Sequence, residues 1–184
     1  MSIAPEQAQV TLEQLLASDA RGRCEIVNGQ LEEGNVGNHS VRVGAQILAL
    51  LVTHCRIHKL GEVFGAVSYY QCFPEGERKA RKPDASFISQ QRLPDDWLEQ
   101  GYFTIAPDLA VEVLSTNDSA YEVDRKIAEY HSAGVKLVWE VNPVERTVMA
   151  HRIDGTVQKL HDRDTLSGEN VIPGFQCTVA DFLP

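Results

Sequence analysis

Three residues stand where a plain fold has least use for their charge: Asp84 in RKPDASFIS, Glu112 in LAVEVLS and Lys126 in EVDRKIAEYHSAG. Asp84 follows Pro83, and an acid in that position can simply close a turn. Glu112 is more telling. Val111, Val113 and Leu114 surround it, and a strand apolar on both faces belongs inside a sheet. Strand alternation puts Ala110, Glu112 and Leu114 on one face and Val111 and Val113 on the other. An ionised carboxylate in such a strand is costly unless a metal ion, lysine or arginine compensates it. The competing reading is a structural ion pair, or an edge strand with Glu112 in water. Lys126 lies beside the helical stripe Val123, Ile127, Tyr130, Gly134. Its stem can run along the packed surface towards the strand ends, as that of a snorkelling lysine also would.

An acid on one strand, an acid on the next and a nearby lysine form a set suited to phosphodiester hydrolysis. Two carboxylates bind a hard cation such as Mg²⁺ or Mn²⁺ through oxygen. The cation polarises the phosphate and lowers the pKa of a bound water. A basic role for Lys126 would need a pKa well below the reference of about 10.4. Neighbouring carboxylates push it the other way, so positioning and charge stabilisation suit it better. Just ahead of Asp84, GERKARK supplies Arg78, Lys79, Arg81 and Lys82, either a solvated turn or a loop that touches phosphates. Glu122, Arg125 and Glu129 look like solvated helix charge. His54 and His58, at i, i+4, would make half a metal site, but no third ligand has matching spacing. They read as surface or partly buried histidines. No base-reading motif is evident, so sequence specificity cannot be deduced.

The elements around these residues follow from local signals. Thr11 and Gln14 form a capping-box pattern for a first helix. CEIVNGQLEE is a hairpin turning at Asn28-Gly29. Val43, Ile47, Leu50 and Leu51 give a long helix from Asn38 to Lys59, with Gly61 as its stop. Glu62 to Phe73 turns β-like, PDASFIS and LAVEVLS are strands, and a short helix fits Asp95 to Gln100. Ser119 and Glu122 cap a helix over Asn117 to Gly134. VKLVWEV is the next strand, and TVMAHRI and VQKL close a hairpin at Asp154-Gly155 in the same sheet. This order predicts an α/β (α+β) fold, a mixed β-sheet with helices on its faces.

Length and composition set the bounds. The 184 residues suit one domain over 1–184, with 1–10 a loose N-terminal tail. A hydrophobic fraction of 43% supports a core, and 23% charged residues is ordinary. A net charge of -9 and a pI near 5.1 exclude a surface coated with nucleic-acid-binding charge. They leave room for local basic patches and fit a site that holds cations. The start, MSIAPEQAQVTLEQLL, lacks signal-peptide features, and the apolar stretch from Val41 to Val52 is too short to span a bilayer. No membrane association is expected. Cys24, Cys55, Cys72 and Cys177 show no CxxC spacing and read as unpaired, fitting a reducing cytoplasm.

The strings RKPDASFIS, PDLAVEVLSTND and DRKIAEYHSAGVKLVWEVNP, with CEIVNGQLEE before them and IPGFQCTVADF after, resemble the Uma-two family of restriction-endonuclease-like proteins. That family lies in the PD-(D/E)XK nuclease superfamily, and the resemblance runs from Thr11 to Phe182. It implies a restriction-endonuclease-like fold with additional N-terminal and C-terminal hairpins. It further implies that Asp84 and Glu112 are metal-binding acids, with the backbone carbonyl of Val113 as a further ligand. The superfamily's lysine falls two positions after the second acid, where this chain has Leu114. Lys126, on the following helix, is the matching residue. Glu25 matches an acid that binds metal directly or through water, and His39 matches a recurrent position near the start of the long helix. The implied activity is a Mg²⁺-dependent DNA endonuclease using a metal-bound water. The alternatives are a non-catalytic binding or assembly module on the same fold, and hydrolysis of RNA or a smaller phosphodiester. Nucleic acid is the implied partner, with a homodimer plausible by analogy.

Overall fold

The structure is a computed structural model that describes residues 9–34, 37–116 and 118–183. Thr11 opens α1 (Leu12–Leu16): its hydroxyl accepts from the Gln14 N–H, and the Gln14 side chain accepts from the Thr11 N–H. The strands β1 (Cys24–Val27) and β2 (Gln30–Glu33) pair antiparallel. Asn28 and Gly29 both take positive φ, 53° and 78°, as a type I′ turn requires. The Val10 N–H donates to the Gly29 carbonyl, so Val10 is tied to the hairpin tip and is not part of a loose tail. The rest of that expected tail, up to residue 8, lies outside the described residues.

Helix α2 (Asn38–His58) buries Val43, Ile47, Leu51 and Cys55 on one face. Its stop is Lys59, which adopts the left-handed conformation and donates to the Cys55 carbonyl; Gly61 instead begins β3 (Gly61–Gly65). The main sheet then takes in β4 (Ala85–Ser89), β5 (Leu109–Val113), β6 (Leu137–Asn142), β7 (Thr147–Arg152) and β8 (Val157–His161). Their spatial order is β3-β4-β5-β6-β7-β8. Neighbours run antiparallel except β5 and β6, which are parallel. A parallel neighbour needs a crossover, and α3 (Ala120–Ser132) supplies it.

The pleat divides the core. Phe87, Leu109, Val111 and Trp139 pack with Val43, Ile47 and Leu51 of α2. Ile88, Ala110 and Val138 pack on the opposite face with Ile127 and Tyr130 of α3. This is the expected mixed sheet flanked by helices. It also makes β5 an interior strand, paired on both sides.

Several local expectations change. The β-like stretch after Gly65 is irregular, although Tyr70 bridges to Arg81 and Phe103. Residues 95–99 form turns where a short helix was expected. Helix α3 starts at Ala120, with Ser119 and Glu122 in the expected capping box; Asn117 lies outside the described residues. The β7–β8 hairpin closes the main sheet as expected. A further small sheet, β9 (Thr165–Ser167) with β10 (Gln176–Thr178), was not foreseen. Strands of three residues carry too little alternation to announce themselves. Cys24 and Cys55 are buried, Cys72 and Cys177 are half-buried, and all four are free. Among the described residues no helix is long and apolar enough to cross a membrane.

Candidate active site

The two acids reach one cleft from adjacent strands. Asp84 directly precedes β4, and its N–H donates to the Val111 carbonyl of β5. Its Oδ2 accepts from the Val113 N–H at 2.7 Å, so the side chain is fixed across the strand pair. Helix α2 runs beside it: a Cβ added to Gly44 would stand 3.7 Å from the Asp84 Cβ and 3.9 Å from Val113 Cγ2. Glu112 lies one residue before Val113, on the sheet face covered by α3. Asp84, Glu112, Val113, Lys126 and Lys82 line the same cleft, with a volume of about 120 Å³.

Helix α3 delivers two donors to Glu112 from positions one turn apart. Lys126 Nζ donates to Oε2 at 3.1 Å, and the Tyr130 hydroxyl donates to Oε1 at 2.6 Å. Lys126 also pairs with Glu25 Oε2 at 3.2 Å. Burial alone would lower the lysine's pKa, but Glu112 and Glu25 hold it above the ordinary range. These two carboxylates therefore favour its ammonium form.

Behind Lys126 lies a buried ion network. Arg81 is fully buried and donates to Glu25 at 2.9 Å and to Glu129 at 2.6 Å. Lys79, also buried, pairs with Glu129 at 2.6 Å and Glu75 at 2.7 Å. The remaining Glu25 oxygen, Oε1, accepts from the Lys82 backbone N–H. Burial works against its charge, yet Lys126 and Arg81 hold its carboxyl below the ordinary range.

These contacts correct several sequence readings. Lys79 and Arg81 are neither solvated nor free for phosphates, because segment 80–81 runs through the core, pairing Ala80 with Ile26 and Arg81 with Tyr70. Arg78 is exposed but does not line the cleft, which leaves Lys82 as the one member of the basic run there. Glu129 is not solvated charge, because both its oxygens hold buried cations. Glu25 also lines the cleft, and its oxygens are engaged inside the protein, Oε2 by Arg81 and Lys126 and Oε1 by the Lys82 N–H, so it anchors Lys126. His39, exposed on the first turn of α2, lines an adjoining groove of about 470 Å³ that shares Glu33, Gly34 and Ser40 with the cleft. His54 is half-buried, with Nε2 3.1 Å from the Pro173 carbonyl and its ring 4.5 Å from that of His58. Tyr130 had been read only as packing. Its signal was an aromatic four residues after a lysine that already pointed at the site.

The fit to a divalent cation can be judged from the charges. Burial and the neighbouring Glu112 push Asp84 up to about 7. Lys126 lies between Glu112 and Glu25, so Asp84 is the acid left without enough positive charge. Hard carboxylate oxygens on a shared cleft suit Mg²⁺ or Mn²⁺. Among the described residues no three of His, Cys, Asp and Glu converge into a ready metal cage. Asp84 and Glu112 would be the protein's side-chain share, with the Val113 carbonyl the further ligand that the family resemblance implies and water completing the shell. Such a site is open, as catalytic Mg²⁺ sites commonly are.

Comparison with known proteins gives the fold and the family. A crystal structure described as a "putative nuclease belonging to DUF820", from Anabaena variabilis ATCC 29413, superposes with a TM-score of 0.79 at 19% identity. The match covers 95% of this chain and 97% of that one, and shows a shared fold. No curated protein matches the sequence. Residues 10–180 match the Uma2 family, described as "Putative restriction endonuclease", and the chain belongs to that family.

Proposed function

We propose that the protein is a divalent-metal-dependent nuclease that hydrolyses phosphodiester bonds in DNA. The observation that carries this reading is that Asp84 and Glu112 share one open cleft, Glu112 clamped by Lys126 and Asp84 left short of positive charge. Asp84, Glu112 and the Val113 carbonyl would hold Mg²⁺ or Mn²⁺, which when bound supplies Lewis acidity towards the phosphate and a lowered pKa for water. Lys126 keeps its proton and offers a fixed ammonium to charge developing on the phosphate oxygens. Glu25 and Glu112 hold that ammonium in place from two sides. Lys82, which lines the same cleft, would meet a flanking phosphate. Four free thiols support a reducing cytoplasm as the compartment.

Purified protein with Mg²⁺ or Mn²⁺ is expected to nick supercoiled DNA, and Asp84→Ala or Glu112→Ala to abolish the nicking. Cleavage that survives both changes would place the chemistry elsewhere. Parallel assays on single-stranded DNA, RNA and a small phosphodiester ester define the substrate class.

One observation favours a second reading, a binding module without efficient catalysis. Lys79 and Arg81 are withdrawn into the core, while Glu32, Glu33, Asp118 and Glu122 line the cleft. Mn²⁺ calorimetry separates the two: no binding at millimolar Mn²⁺ selects the module.

A further inference from the structure

We infer that Tyr130 is a positioning residue for the Glu112 carboxylate, setting its two oxygens for metal binding. The inference rests on the metal-site reading above and adds a residue that touches neither cation nor substrate.

Glu112 has a well-held backbone, opposite Glu140 of β6 and between the contacts of Asp84 with Val111 and Val113, but its side chain has three torsions to settle. Two donors settle them. Lys126 takes Oε2 and Tyr130 takes Oε1, one oxygen each, from the same face of α3. A carboxylate oxygen accepts about two hydrogen bonds, so each keeps one lone pair for the cleft. Lys126 is a divided partner, since Glu25 also holds it. Tyr130 is not divided: it is fully buried, its ring lies 6.1 Å from that of Phe73, and among the described residues its hydroxyl donates to Glu112 alone. Phenylalanine would fill the same volume. The hydroxyl therefore answers a need of Glu112, and outer partners that orient a metal-binding carboxylate commonly set metal affinity.

A simpler account is that the hydroxyl only satisfies a buried oxygen and so contributes to stability alone. The same core holds a matched control: Tyr70, also fully buried, shares a 2.7 Å hydrogen bond with Ser86 Oγ, and neither residue lines the cleft. Full-length Tyr130→Phe and Tyr70→Phe each lose one buried hydroxyl and keep the ring. Isothermal calorimetry with Mn²⁺ alone is the test, alongside thermal melting of each variant. Both variants are expected to fold with comparable losses in Tm. Tyr130→Phe is expected to bind Mn²⁺ at least about tenfold more weakly, with Tyr70→Phe unchanged. In a nicking assay the Mn²⁺ activation constant of Tyr130→Phe should shift by the same factor, with the rate recovering at saturating metal. Wild-type affinity in Tyr130→Phe overturns the inference and leaves the metal site standing, as does equal weakening in both variants, which would trace the effect to the core. Absence of Mn²⁺ binding by the wild type overturns the metal reading and this inference with it.

Discussion

If Asp84 is an acid waiting for a cation, replacing it with an isosteric neutral group should stabilise the metal-free protein while removing function. Asp84→Asn keeps an oxygen for the Val113 N–H and removes the charge that Glu112 repels. The gap from the ordinary 3.8 to about 7, at about 1.4 kcal/mol per pH unit, sets the cost of the ionised form near 4 kcal/mol. The sign follows from the direction of the shift. A carboxyl raised on folding leaves stability intact below its unfolded pKa, and that stability is lost as pH rises through the folded value. The wild type is therefore expected to weaken between about pH 4 and pH 7 through this group, and the variant to be spared. For a chain of this size about 4 kcal/mol corresponds to roughly 8–16 °C in Tm. Water reaching the open cleft lowers that ceiling, so about 4–8 °C is the expected gain for Asp84→Asn at pH 8 in EDTA, shrinking towards zero at pH 4. Mn²⁺ should reverse the order. At a hundred times its Kd it adds about 2.7 kcal/mol to the wild type and nothing to the variant. Melts at the two pH values, with EDTA and with Mn²⁺, give all four numbers. A variant no more stable than the wild type at pH 8 in EDTA would refute the claim that Asp84 lacks compensation, and with it the charge argument for a cation.

Other consequences are open to equally direct measurement. Arg81→Ala leaves Glu25 and Glu129 buried without their shared partner and is expected to cost about 3–5 kcal/mol in denaturant unfolding; a cost below 1 kcal/mol would return Arg81 to the surface role the sequence suggested. Lys126→Met is expected to abolish cleavage while Mn²⁺ binding persists, because the lysine stabilises charge on the substrate and is not a metal ligand; unchanged cleavage would remove it from the site. Lys82→Ala is expected to lower the salt dependence of DNA binding by about one counterion, and Arg78→Ala to leave it unaltered. Asp108 is opposed by burial but held below the ordinary carboxylate range by Lys136, the Ser89 N–H and Arg92. Its contribution is present above the unfolded pKa and fades as pH falls, so Asp108→Asn should flatten the acid limb of a stability profile; an unchanged limb would assign it to other acids.

What the sequence made legible divides along a physical line. Elements specified by neighbours in the chain were readable: the Thr11–Gln14 and Ser119–Glu122 caps, the Asn28-Gly29 turn, and the stripe that seats α3. Glu112 was readable for a related reason, since an acid inside an apolar strand conflicts with its own surroundings, and that conflict appears within seven residues. The errors came where pairing is made by distant partners. GERKARK has the composition of a solvated turn, and nothing local reveals that Ala80 will pair with Ile26 and Arg81 with Tyr70. Once that segment threads the core, its cations must find acids, and Glu25 and Glu129 are the acids that follow them inside. The misreading of the basic run and the misreading of Glu129 are thus one error, and the ion pairs of Glu25 follow from the same pairing. They have one consequence for function: charge that seemed available to a phosphate backbone is used to fix the carboxylate that fixes Lys126. The departure at Leu114 then has a structural answer. A lysine two residues after Glu112 would project from the same strand face, on a short route to the cleft. A lysine on α3 must reach Glu112 from the packed side, and it needs Glu25, itself held by Arg81, to keep it there. If Lys126 takes the place of that lysine, the buried ion network is what holds it beside Glu112, and loss of the network should be felt at the site as well as in stability.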